Sequence, residues 1–192
     1  MSNSLQKRPP ITFDGLSAHL KTVNKHRALV RELCFKAGLP LQGLTHDLSK
    51  YAPVEFLVGA RYFQGTRSPN TAEREALGFS KAWLHHKGRN KHHFEYWIDA
   101  TKDSKGQFLG IPMPKRYVVE MLCDRIAACK VYQGEAYTQQ SALRYYLQNM
   151  AYNSGMHETT ARELERMLRM VAVLGEDEAL SRIKEELRHT GR

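Results

Sequence analysis

The chain has 192 residues, 42% hydrophobic and 26% charged, so one domain with a core that buries about 70% of its unfolded surface is feasible. No run of about 18 apolar residues exists, which excludes a membrane-spanning helix, and Met1 to Pro10 lacks the apolar segment of a signal peptide, so a cytoplasmic location is expected. A net charge of +9 attracts anions of any kind, phosphorylated small molecules, nucleic acids or counterions, without choosing among them.

Leu16, Leu20, Val23, Val30, Leu33 and Ala37 recur at helical steps once a seat between Val23 and Val30 is filled, and His26 fills it. Cys34 on this helix, with Cys123 and Cys129, has no C-x-x-C spacing, so reduced and mostly buried thiols are expected. Gly38-Leu39-Pro40 ends the helix, because glycine takes a left-handed cap and proline cannot continue the ladder. A short loop then leads to Thr45-His46-Asp47-Leu48-Ser49-Lys50, and from Leu44 to about Phe63 the residues predict two short helices divided at Pro53.

Gly65 to Asn70 reads as a loop, with Asn70 and Glu73 as a capping pair for the next helix, and Phe79 to His86 predicts a further turn or two before Gly88. Asp99 to Pro114 reads as an extended surface loop. After Pro114 a helix carries Tyr117, Met121, Ala128 and Val131 or Tyr132 on its buried stripe, with Asp124 in the polar seat. Thr138 to Tyr146 and Thr160 to Leu174 are further helices, the second opened by a Thr160-x-x-Glu163 capping box and closed by Gly175. Glu176-Asp177-Glu178 starts a mixed-charge surface helix that Arg188 and His189 finish. No strand-period alternation of useful length is present, so the fold class is all-α. The expected organisation is an N-terminal tail over 1–13, a helical core carrying the site over 14–150, and a C-terminal helical pair over 151–192 packed on it.

A carboxylate among Met121, Ala128 and Val131 carries a large desolvation cost unless a cation or donor meets it. Asp124 paired with Arg27 or Arg125, beside an ordinary core histidine at 26, answers this requirement; a metal ion answers it too. His46-Asp47 is harder to explain as core, since neighbouring side chains on a helix point about 100° apart. At a helix start they can straddle one ion, or one can bridge two. Imidazole nitrogen and carboxylate oxygen are the ligand types of zinc, iron and manganese, and such a site can activate water.

The segment His85 to His93 holds four of the nine histidines, with Lys87, Arg89 and Lys91 between them. A basic surface for phosphate or nucleic acid is one reading of it, and further metal ligands are the other. Lys50, three residues after Asp47, is the base best placed to hold a phosphate, with Arg89 and Lys91 as further substrate-binding bases. Glu55, Glu95 and Glu120 are candidates for an additional ligand or general base. His19 is expected to be structural, and Tyr62-Phe63 and Tyr96-Trp97 to be core or pocket walls.

His26, His46-Asp47 and Asp124, in this order on separate helices, resemble the H...HD...D signature of the HD-domain metal-dependent phosphohydrolase superfamily. The resemblance covers Leu16 to Tyr132, and His46-Asp47-Leu48-Ser49-Lys50 is similar to the frequent HD-[LI]-G-K form with Ser49 in place of glycine. Trp83-Leu84-His85-His86-Lys87-Gly88-Arg89-Asn90-Lys91-His92-His93 is similar to stretches of a small, functionally uncharacterised HD-like family of bacteria and phages.

The resemblance implies a helical HD-like bundle holding one or two divalent ions of iron, manganese, zinc or nickel. Asp47 would bridge them, His26, His46 and Asp124 would complete one, and His86 with His93 the other, with His85 and His92 as alternates. It implies a phosphoester substrate, with a nucleotide as one candidate. A mixed-valent diiron oxygenase is the alternative on the same ligands. A basic helical module for nucleic acid, its metal structural or vestigial, is the third reading.

Overall fold

The structure is a computed structural model that describes residues 8–102, 105–150 and 155–190. Helix α1 (Phe13–Lys36) opens where Thr12 Oγ1 accepts from the Gly15 amide at 3.1 Å. It closes where Gly38, at φ 79°, lets the Leu39 amide turn back to the Cys34 carbonyl at 2.8 Å. His19, Val23, His26, Val30, Leu33 and Cys34 form its buried stripe. His19 takes the inner seat expected of Leu20, which is 40% exposed.

Proline sits in the first turn of each of the next three helices, α2 (Pro40–Thr45), α3 (Pro53–Arg61) and α4 (Pro69–Leu77), where its missing N–H has no helical partner to lose. Pro40 therefore begins a helix where a loop is expected. A 3-10 turn, Leu48–Tyr51, lies between α2 and α3, and α5 (Lys81–Lys87) follows α4. Ser68, not Asn70, precedes α4 as its cap, and Glu73 is buried, accepting from Ser80 Oγ at 2.5 Å.

The expected loop after Asp99 contains a small antiparallel hairpin, Ile98–Ala100 (β1) with Phe108–Gly110 (β2), joined through residues of which 103 and 104 lie outside the described ones. Strands of three residues leave no legible alternation. Helices α6 (Lys115–Gln133), α7 (Ser141–Gln148), α8 (Glu158–Leu174) and α9 (Glu176–Thr190) complete the chain, which is all-α apart from the hairpin. His157 caps α8 by accepting from the Thr159 amide at 3.1 Å. Thr160, expected to cap, is buried and accepts from the Met113 amide at 3.0 Å.

α1 and α6 pack side by side, and α8 and α9 close over them in one continuous apolar core that includes Val30, Leu33, Leu122, Ile126, Leu168 and Ile183. Each such side chain contributes about 1.5–3 kcal/mol on burial. α9 is more than a surface helix, since Ala179, Leu180 and Ile183 are fully buried. Cys34, Cys123 and Cys129 are free and buried. Residues 1–7 of the expected tail and 151–154 before the C-terminal pair lie outside the described residues. Among the described residues no helix is long and apolar enough to cross a membrane.

Candidate metal centre

α1 brings His26 to the centre and α6 brings Asp124, with His26 Nε2 and Asp124 Oδ1 2.9 Å apart. This contact takes the place of an Asp124 pair with Arg27. Arg27 instead donates from Nε to the His46 carbonyl at 2.8 Å, from Nη2 to the Leu44 carbonyl at 3.1 Å and from Nη1 to Tyr51 at 3.0 Å.

His46 and Asp47 lie between α2 and the 3-10 turn Leu48–Tyr51, with Asp47 in the cap position of that turn and not at the start of an α-helix. α2 stops at Thr45, His46 is extended at ψ 127°, and Asp47 is left-handed at φ 53°, ψ 28°. Aspartate is among the few residues that visit this region readily. The turn aims both neighbouring side chains into one cluster, which a helix cannot do.

Asp47 is fully buried and its two oxygens face different partners. Oδ2 lies 2.7 Å from Lys50 Nζ, 3.3 Å from His46 Nε2 and 3.7 Å from His26 Nε2. Oδ1 lies 3.3 Å from His86 Nε2 and 3.4 Å from His92 Nε2. His86 comes from α5, whereas His92 and His93 come from the irregular turn before the 3-10 segment Phe94–Trp97, so adjacent rings can both turn inward. His93 packs edge-on against Trp83 with centroids 4.7 Å apart.

The ligand-type atoms gather in three groups, two of which share Asp47: one of His26, His46, Asp47 and Asp124, and one of Asp47, His86, His92 and His93, while the third joins His46, His92 and Glu120. Of the competing pairs, His86 turns inward and His85 does not, while both His92 and His93 are present.

His85 Nδ1 bonds Glu55 Oε1 at 2.5 Å, and Glu55 Oε2 receives His86 Nδ1 at 2.8 Å. Behind the opposite side, Glu120 Oε1 receives His46 Nδ1 at 2.9 Å and stands 3.0 Å from His92 Nδ1. Glu55 and Glu120 thus stand behind histidines, where they fix ring orientation. Ser49 and Asn90, absent from the expected set, brace His86: Asn90 Nδ2 donates to Ser49 Oγ and to the His86 carbonyl, both at 2.8 Å. Asn90 lies four residues after His86, a helical spacing visible in the sequence. Glu120 stands at the same spacing before Asp124.

Of the proposed phosphate-binding bases, Lys50 joins the cluster. Arg89 is exposed and its Nη1 donates to the His85 carbonyl at 3.4 Å, and Lys91 Nζ lies over the rings of Tyr96 and Tyr117 at 5.8 and 5.9 Å. Tyr62 is buried as expected, while Tyr96 is 39% exposed. His19 is buried against Phe56 and Phe63, and burial with the nearby Lys50 charge lowers its pKa to about 4.

Burial, then the Lys50 charge, lowers the His26 pKa, and burial with the neighbouring His92 and His86 keeps His93 well below the usual imidazole range. Both are neutral, the state that binds a cation. His46 goes the other way: burial disfavours its charge, but the carboxylates of Asp47, Asp124 and Glu120 outweigh burial and raise it well above 6.5. Burial likewise opposes charge on Asp47 and Asp124, yet the His46 and Lys50 charges beside Asp47, and hydrogen bonds from His26 and His46 to Asp124, hold both well below 3.8.

Asp47 Oδ1, His92 Nε2 and His93 Nε2 are buried and have no hydrogen-bond partner, and Asp47 Oδ2 has no aligned donor beyond the Lys50 ion pair. An orphaned buried polar atom costs about 1–3 kcal/mol. A divalent cation satisfies imidazole and carboxylate lone pairs together. The residues fit such an ion, and the buried His/Asp groups can hold one.

The model of a family of unknown function, DUF5662, matches residues 15–170. The chain belongs to that family. The DUF5662 match runs from α1 into α8 and takes in every residue of the two ligand groups together with Glu55 and Glu120. No curated protein and no solved structure matches the chain.

Proposed function

We propose that the chain is an HD-type metal-dependent phosphohydrolase that cleaves a phosphoester at the centre organised by Asp47. The observation that carries this reading is the Asp47 carboxylate, whose two buried oxygens face two separate sets of imidazoles. One or two divalent ions held there supply a Lewis acid and a water whose pKa falls from 15.7 toward about 7. His26, His46, Asp47 and Asp124 would hold one ion, and Asp47, His86, His92 and His93 the other.

The remaining work belongs to the chain's own groups. Lys50, partly exposed beside Asp47 and kept charged by Asp47 and Asp124 against burial, binds a phosphoryl oxygen and offsets charge that grows during transfer. Glu55 and Glu120 hold the histidines behind the centre in orientation.

Plasma mass spectrometry on protein purified without a metal-affinity column tests the centre, with phosphoester hydrolysis as the activity readout. About two equivalents of metal, lost together with hydrolysis in Asp47→Ala, support the reading. A metal-free protein that takes up no ion on reconstitution overturns it. The preponderance of imidazole over carboxylate in the two groups favours a second reading, an iron oxygenase on the same ligands, since imidazole suits iron as well as zinc. Bound iron with oxygen uptake and no phosphoester hydrolysis selects that reading.

A further inference from the structure

One carboxylate oxygen serves both ligand groups from behind. Glu120 Oε1 receives His46 Nδ1 at 2.9 Å and stands 3.0 Å from His92 Nδ1. The opposite nitrogens of these rings face the two ends of Asp47, His46 Nε2 at 3.3 Å from Oδ2 and His92 Nε2 at 3.4 Å from Oδ1. Asp47, His46, Glu120 and His92 therefore close a ring, with one imidazole in each ligand group. Glu55 is different. It divides its oxygens between His86, which belongs to one group, and His85, which belongs to neither.

A carboxylate can only accept, so each ring must offer it an Nδ1–H, and Nε2 is the nitrogen left for a cation. When one ring is held still, the shared oxygen is held still, and the second ring finds its acceptor already in place. The ordering cost is then met once for both rings, which is a coupling free energy between the two positions.

We propose that Glu120 is a shared positioning residue that couples the two cation positions, so that filling one prepares the other, whereas Glu55 serves a single position. The inference rests on the metal-centre reading above. It predicts that losing Glu120 weakens both positions together, which the loss of a carboxylate behind one ligand does not do.

The test is cobalt(II) titration of the metal-free full chain, followed by visible absorption and by metal stoichiometry, with ring ¹⁵N shifts reporting the histidine tautomers. The unaltered protein should take two equivalents cooperatively. Glu120→Leu should weaken both positions by roughly 10–100-fold and abolish cooperativity, with the Nδ1–H signatures of His46 and His92 lost. Glu120→Gln keeps an amide oxygen for both rings but loses the charge, so both positions should weaken by a similar, smaller factor and the tautomers should persist. Glu55→Gln should weaken one position only.

Two-cation binding that Glu120→Gln leaves unchanged, or weakens at one position alone, overturns the inference while the metal centre stands. This holds even where Glu120→Leu fails to fold. An unaltered protein that takes up no cobalt overturns the metal-centre reading and the inference with it.

Discussion

Arg27, the residue that follows His26 on α1, donates from Nε to the carbonyl oxygen of His46 at 2.8 Å. The same guanidinium reaches the Leu44 carbonyl and the Tyr51 hydroxyl, so one side chain clasps the turn that holds Asp47 left-handed. Arg27→Ala should lower unfolding free energy by about 1–3 kcal/mol, the cost of leaving such acceptors without donors, and should weaken cation binding. Arg27→Lys should recover only part, because an ammonium cannot reproduce the planar fork. Urea unfolding and metal titration of both variants check this.

Asp47 has two separable jobs, backbone and charge. Alanine is penalised at φ 53°, whereas asparagine tolerates it. Asp47→Asn and Asp47→Ala should both lose the cation, but the asparagine variant should be the more stable by about 1 kcal/mol. Equal melting temperatures would show that the turn carries no such strain.

The pH response of the metal-free protein has a definite sign. His46 is raised well above 6.5 in the fold, because Asp47, Asp124 and Glu120 outweigh burial, so its contribution is complete below 6.5 and is lost as pH rises through the folded value. Asp47 and Asp124 are held below 3.8 despite burial, Asp47 by the His46 and Lys50 charges and Asp124 by hydrogen bonds from His26 and His46, so theirs is present above 3.8 and is lost as pH falls through the folded values. His19, His26 and His93 are depressed by burial, so their contribution is complete only above 6.5 and is lost as pH falls towards their folded values, and stability of the metal-free protein should therefore peak near 6.5. Cation binding at neutral pH should release about one proton, from His46 Nε2, and weaken on acidification. Calorimetry in buffers of different ionisation enthalpy measures the proton; heats independent of buffer would contradict it.

Gly59 on α3 has no room for a side chain, since a β-carbon there would run into the His19 ring. Alanine gains about 1 kcal/mol of helix propensity over glycine, but crowding of this kind costs about 1–3 kcal/mol, so the loss should dominate in Gly59→Ala. In a His19→Ala background the same substitution should become neutral or favourable. A double-mutant cycle by urea denaturation reads this coupling.

Much of the scaffold was legible because it follows helical period. The seats of His26 and Asp124 among apolar neighbours are visible in the spacing, and the helices of α1, α6 and α8 follow from it. What period could not show is backbone that leaves the helix. The left-handed Asp47 and the turn carrying His92 and His93 are set by dihedral angles that side-chain spacing does not encode. The hairpin was illegible because its strands are three residues long. Leu20 loses its expected seat to His19, which packs tightly against Gly59, while Val23, His26, Val30 and Leu33 keep theirs. Lys91 was read by its place in a basic run, but the rings of Tyr96 and Tyr117 claim its ammonium.

The Lys50 ammonium, 2.7 Å from Asp47 Oδ2, gives the buried carboxylate a counterion tethered to the chain itself. In small zinc domains the ligands repel one another until metal arrives, and folding waits for it. Here the polypeptide carries its own counterion and can complete its fold first, so any ion the centre holds would be free to arrive afterwards. An ion held at Asp47 Oδ2 would have to outcompete this lysine.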